Sequence, residues 1–216
     1  MDTIEANHKN IPGAGHGVIE KNKSRADIEE AARKAGLDVV VNVVINSRRE
    51  IAGVFVGDMV KAHREGVKFA REIYKTEVPR GMDIIVTNAY PLDTEMFQAV
   101  KALWMVGHSS KKDGITILLS ACSEGRGYHA LYQMGGRLWA PPERSWLKRE
   151  PSRAQAWRKR LLFASPNLNK KDLHQIYPEE ETELLRSWEE TLEELKSLCK
   201  ERIKVAVFPC ASIQVE

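Results

Sequence analysis

A glutamine and a lysine three residues apart, Gln98 and Lys101, stand in the segment NAYPLDTEMFQAVKALW, Asn88 to Trp104. On a helix, residues at that spacing share a face. An amide beside an ammonium suits a small ligand that carries a carboxylate and a hydroxyl, because the ammonium is the counter-charge and the amide both donates and accepts. Both residue types are also ordinary helix formers on solvated surfaces, so spacing alone does not decide between ligand and water. Other chemistries lack their residues. Neither GxxxxGK[ST] nor GxGxxG occurs, and there is no HExxH, GxSxG or paired metal-ligand spacing. GAGHG, Gly13 to Gly17, follows no strand, and Gly125-Arg126-Gly127 has the signature of a turn.

The elements that must hold the pair are legible around it. MDIIVTN, Met82 to Asn88, is short and apolar enough for a parallel strand with both faces covered, a Tyr90-Pro91 turn follows, and Asp93 is placed to cap a helix running to about Val106. Open α/β sheets bind ligands at the carboxyl ends of their strands.

Upstream, residues 1–23 show no periodicity and read as an arm. A helix is expected from the cap-like pair Ser24 and Asp27, with Ile28, Ala31, Ala32 and Ala35 at helical spacing and Gly36 as its stop. DVVVNVVIN (38–46) and EIAGVFVG (50–57) predict a hairpin or two adjacent buried strands. Asp58 caps a helix from Met59 to about Tyr74, on which Val60, Val67, Ala70 and Ile73 can share a face. The turn Val78-Pro79-Arg80-Gly81 divides the chain into 1–78 and 79–216. Downstream, strand 115–121, a Gly- and Trp-bearing stretch 125–146, a helix 151–157 and strand 160–165 are expected. An amphipathic helix holding Leu184, Leu185, Trp188, Leu192, Leu195 and Leu198, then a strand 203–209, complete the series. This alternation predicts an α/β fold with a mostly parallel, Rossmann-like sheet flanked by helices and preceded by a partial α/β segment.

Composition narrows the class without naming a partner. The 216 residues are 43% apolar and 29% charged, enough to bury a core, and the net charge of +3 comes from interspersed residues. The basic, Trp-containing stretch 137–160 carries no RNA-binding motif, so nucleic acid is not expected as a partner. No run is apolar and long enough for a membrane span, and MDTIEANHKN has no apolar leader. Cys122, Cys199 and Cys210 are odd in number and lack CxxC spacing, as in a reduced, cytoplasmic protein. His63 reads as a structural helix residue; His108, His129 and His174 read as loop residues.

Taken together, YPLDxxxFQAVKAL, the upstream VNVVIN and AGVFVGDMVKAHREG, and the downstream GITILLSACSEGRG resemble the nickel-pincer-nucleotide-dependent lactate racemase family, in order and from about Thr3 to the last strand. The resemblance implies a small 2-hydroxy carboxylate as substrate, held by Gln98 and Lys101, with Trp157 near the pocket. It implies an isomerase reaction, racemisation of 2-hydroxy acids, and places a catalytic acid/base histidine at His8, in Thr3-Ile4-Glu5-Ala6-Asn7-His8. An imidazole titrates in the range such proton transfer needs.

Two positions depart from the family. Where it carries the lysine that bonds to the nickel-pincer nucleotide, this chain reads Gly13-Ala14-Gly15, and where it has a histidine ligand to nickel, the residue is Arg25. A guanidinium has no lone pair to give a metal. No metal ligand is therefore assigned, and two expectations follow for the nickel-pincer nucleotide: a differently held cofactor or none. The family's amino-terminal half lies before Met1. The resemblance thus implies a truncated carboxy-terminal portion, catalytically incomplete without a separate amino-terminal lactate racemase-like subunit. Alternatives are a non-catalytic interaction or regulatory module pairing with such a subunit, and a variant hydroxy-acid racemase or epimerase.

Overall fold

The structure, a computed structural model, describes residues 17–127, 160–174, 177, 180, 182–198 and 203–216. His8, Trp157, His129, Cys199, the stretch beyond Gly127 and the expected helix 151–157 lie outside the described residues. The chain separates into two units, one reaching to Lys75 and including Val215, the other running from Thr76 to Gln214 with Glu216.

In the first unit, α1 (Lys23–Lys34) is followed by β1 (Val40–Ile45), β2 (Ile51–Gly57) and α2 (Lys61–Tyr74). The cap of α1 is Asn22, whose side chain accepts from the Arg25 N–H, rather than Ser24 and Asp27. The Asp58 carboxylate accepts from the N–H groups of Val60 and Lys61 and so starts α2 as expected. The strands pair antiparallel, with Val41 opposite Val56 and Val43 opposite Val54. The helix faces differ from those the periodicity suggests. On α1 the buried residues are Ser24 and Glu29, and Ile28 is exposed. On α2 they are Ala62 and Gly66, with Phe69 meeting Phe55 at a ring-centroid distance of 5.6 Å, while Ile73 is exposed. Close approach decides this face: a Cβ at Gly53 would stand 2.8 Å from the Phe69 ring, so the small residue lets helix and hairpin meet.

The second unit is a five-stranded parallel sheet in the order β6-β5-β4-β3-β7, made of β3 (Met82–Asn88), β4 (Ser110–Leu119), β5 (Arg160–Ala164), β6 (Thr182–Leu185) and β7 (Val205–Phe208). Alternate residues of each strand face opposite sides. One side buries Ile85, Leu118, Leu161, Phe163 and Phe208 against Met96, Ala99, Leu103 and Val106. The other buries Ile84, Val86, Ile117, Leu162 and Leu185, with Leu195 of α6 (Trp188–Leu198) packed on it. Burial on both faces is why β3, β4 and β5 read as continuous apolar runs, whereas β7 at the sheet edge buries Ala206 and Phe208 and leaves Val205 and Val207 exposed.

Two expectations are corrected here. Leu184 and Leu185 belong to β6, paired with Phe163 and Ala164, and the helix starts only at Trp188. A four-residue strand beside a leucine-rich helix blends into its 3.6-residue pattern. His174 closes α5 (Lys170–His174) instead of lying in a loop.

Candidate carboxylate-binding site

The connection after β3 is fixed from several sides. Asn88 Oδ1 accepts from the Tyr90 N–H at 3.2 Å, its carbonyl accepts from the Ala211 N–H, and Ser212 Oγ donates to the Tyr90 carbonyl at 3.1 Å. The Tyr90-Pro91 peptide bond is cis. The chain then runs beside the turn that follows β4: Cys122 N–H donates to the Asp93 carbonyl, Glu124 N–H to that of Thr94, and Met96 N–H to that of Gly125. Between these bonds the backbone of Glu95 is extended, with φ -136° and ψ 153°. The helix consequently begins at Met96 rather than at an Asp93 cap, and it is three short pieces: α3 (Met96–Ala99), a 3-10 turn (Val100–Ala102) and α4 (Leu103–Val106).

Gln98 and Lys101 sit across the junction of the first two pieces, and Lys101 Nζ donates to Gln98 Oε1. Both side chains are half-buried. With the amide oxygen engaged by the lysine, the amide N–H groups and the remaining ammonium N–H bonds are the donors a carboxylate needs. Burial pushes the Lys101 ammonium below its usual range, and the negative charge of Glu95 acts against that shift.

Glu95 is the residue sequence reasoning missed. It lies at the helix start, only 5% exposed, and continues the spacing of three through Gln98 to Lys101. That spacing was the available signal. Its carboxylate rests on Gly127: a Cβ there would stand 1.7 Å from Glu95 Oε2, and the glycine has φ +90°. The Gly125-Arg126-Gly127 turn is therefore the floor beneath Glu95. Among the described residues Arg126 Nε and Nη1 are buried without a hydrogen-bond partner, and Nε stands 3.9 Å from Asp172 Oδ1. Cys122 is buried with its thiol donating to Ser120 Oγ at 3.1 Å, and burial pushes that thiol up, as in an inert structural cysteine.

In the first unit, Arg25 is occupied by structure. Its Nε donates to Glu29 Oε1 at 2.9 Å, and Arg64 Nη2 stands 2.8 Å from the same oxygen. Burial raises the Glu29 carboxyl, the two arginines more than offset it, and the net shift is downward. His63 beside them is held below its usual value by burial and by both guanidiniums, and its Nδ1 lies 3.0 Å from Arg64 Nη1. Among the described residues no group of three His, Cys, Asp or Glu could hold a metal ion. These residues do not fit a nickel site at position 25. A cleft of about 400 Å³ lies between residues 76–79 and 206–208; neither Gln98 nor Lys101 lines it.

The second unit is thus a parallel α/β domain with an amide and ammonium pair on the connection that leaves the carboxyl end of an interior strand. Residues 77–140 match the family described as Lactate racemase C-terminal domain. The chain is 39% identical over 141 residues to the lactate racemase of Thermoanaerobacterium thermosaccharolyticum, covering 62% of this chain and 32% of that protein. With the lactate racemase of Lactiplantibacillus plantarum it is 35% identical over 137 residues, 60% of this chain and 32% of the relative. Among solved structures, that of the lactate racemase apoprotein from T. thermosaccharolyticum superposes with a TM-score of 0.70 at 24% identity, over 98% of this chain and 54% of that one. Over residues 77–140 the chain thus resembles the lactate racemase carboxy-terminal domain, and it spans about a third of the length of the curated relatives it matches. No described helix is long and apolar enough to cross a membrane.

Proposed function

We propose that the second unit binds a small 2-hydroxy carboxylate through Gln98 and Lys101, as the carboxy-terminal part of a lactate racemase-like protein. The observation that carries this is the Lys101 to Gln98 hydrogen bond, inside the stretch that matches the family. It directs the amide so that both side chains offer donors. Lactate is the first ligand to try, because the matched relatives are named for it.

Calorimetric titration with D- and L-lactate tests the reading. A hydrogen bond to a charged group is worth about 1.5–3 kcal/mol, so Lys101→Ala should weaken binding roughly 10- to 100-fold. Gln98→Ala should cost less, since it removes a neutral donor. Binding requires the protonated ammonium, and burial lowers the Lys101 pKa from 10.5. Affinity should therefore be greatest where the ammonium is protonated and fall as pH rises through a midpoint below that value. Equal affinity in wild type and Lys101→Ala would sink the proposal.

Racemisation is proposed to need more than these residues. Family likeness implies the nickel-pincer nucleotide, which supplies hydride acceptance when bound, yet Arg25 is committed to Glu29 where the resemblance expects a nickel ligand. An amino-terminal lactate racemase-like half would then complete the protein. D-lactate converted to L-lactate by the chain alone, given nickel and the maturation components, would refute this. A second reading, a non-catalytic regulatory module, is favoured by the same Arg25–Glu29–Arg64 cluster. Nickel analysis of the protein isolated from its own cells separates it from a variant racemase or epimerase: stoichiometric metal supports the enzyme, metal-free protein the module.

A further inference from the structure

The hairpin of the first unit has two unlike faces. Inward, Phe55 packs on Phe69 of α2. Outward, Val39, Val41, Val43, Ile51, Val54 and Val56 are each 50–67% exposed. Cross-strand pairing of Val41 with Val56 and Val43 with Val54 makes these a continuous ladder of β-branched side chains, not scattered apolar residues. Its ends are polar: Asp38 and Asp58 at one, Arg48 and Arg49 at the other, all exposed. An apolar centre with a charged rim is the anatomy of a protein interface. The sheet has only two strands, and a lone hairpin is marginal in water unless further strands or layers cover it. The exposed Ile28 of α1 adds to the apolar surface this unit leaves open.

We propose that this valine ladder is the docking face for an amino-terminal lactate racemase-like half, carried on a longer form of this polypeptide or on another one. The inference rests on the family reading above. The occupant follows from two observations. The solved lactate racemase fold takes in 98% of this chain, whereas the chain accounts for 54% of that fold, so 46% of it has no counterpart in these residues. The ladder itself carries no charge, which selects an apolar protein surface over nucleic acid or an anionic membrane. At roughly 100 Å² per side chain, six such residues offer about 600 Å², approaching one partner's share of a standard interface.

The test compares the full wild-type chain, Val43→Lys/Val54→Glu and Lys101→Ala. The double variant swaps two apolar residues for an opposite-charge pair across the strands, which keeps the hairpin satisfied while making its outer face polar. Each is co-expressed with the part of T. thermosaccharolyticum lactate racemase that has no counterpart here, and complexes are weighed by sedimentation. Wild type and Lys101→Ala are expected to form a 1:1 complex. The double variant should lose it at least 10-fold while its circular dichroism and thermal midpoint stay unchanged. In parallel, Val43→Cys in the isolated chain should react with a maleimide as fast as a free thiol and be protected in the complex. Slow labelling in the isolated chain would overturn the proposal, because another part of this chain would then cover the face. So would complex formation by the double variant, soluble polypeptides that do not associate, or a homodimer that the double variant dissolves, which would make a second copy the occupant. Loss of lactate binding in wild type with the complex intact would count only against the carboxylate reading.

Discussion

The two units bury their apolar residues to very different extents. In the second, Ile85, Ile117, Leu118, Leu161, Leu162 and Phe163 are fully inaccessible, because both faces of the interior strands β3, β4 and β5 are covered. In the first, one helix covers one face of two strands, and the buried set is small: Ser24, Glu29, Val44, Met59, Ala62 and Gly66. Burial of apolar area drives folding. The second unit can therefore order its own strands, while the first carries β-branched runs of equal quality whose outer side chains are exposed. Strand propensity and strand burial are separate properties, and here they part company within one chain.

The largest test of that contrast is truncation of the core. Phe163→Ala removes a fully buried ring from the interior strand β5 and should cost about 3–5 kcal/mol in denaturant unfolding. Phe55→Ala in the first unit removes a half-buried ring and should cost less than half as much. Equal losses would mean that the units share stability more evenly than their burial suggests.

A smaller effect is expected at the turn beneath the site. Gly127→Ala adds a methyl where Glu95 lies and forces an L-residue into φ +90°, a cost of about 1–3 kcal/mol. If Glu95 is displaced, Lys101 loses the charge that raises its pKa, and its titration followed by NMR should move further down. An unchanged Lys101 titration would separate Glu95 from the pair.

This site also shows what the sequence could and could not disclose. Strands β3, β4 and β5 were legible because strands covered on both sides need uninterrupted apolar runs, β7 was legible from its β-branched content although Val205 and Val207 are exposed, and Gln98 and Lys101 were legible from their spacing. The broken helix was not. Its start is set by hydrogen bonds from the distant residues 122–125, which no local pattern records. Similarly, the inward faces of α1 and α2 follow from Gly53 admitting Phe69 and from an ion cluster around Glu29, not from apolar periodicity. Periodicity identifies which face is apolar; where a covering layer is lacking, that face need not point inward.

Electrostatics give the next, weaker test. The folded Glu29 carboxyl has a pKa below its ordinary 4.5, so its ion pairs stabilise the first unit fully above that value and are lost as pH falls through the lower, folded one. Since both arginines remain partly in water, Glu29→Gln should cost only about 1 kcal/mol at neutral pH. Hydrogen exchange should show α1 and α2 opening in acid before the second unit does. Opening of both units together would contradict the contrast.

The smallest expected effect is the most discriminating. Val41→Thr and Val56→Thr keep the β-branch, the strand preference and nearly the volume at two exposed, cross-strand positions. In the isolated chain each should alter unfolding free energy by no more than about 0.5 kcal/mol, as for surface changes that remove no packing. The same substitution at Val44, which is 7% exposed on the inner face of β1, places a hydroxyl among apolar side chains and should cost more. A comparable loss at Val41 and Val44 would show that the outer face is covered in solution after all, and would turn the difference between the units from one of burial into one of strand number alone.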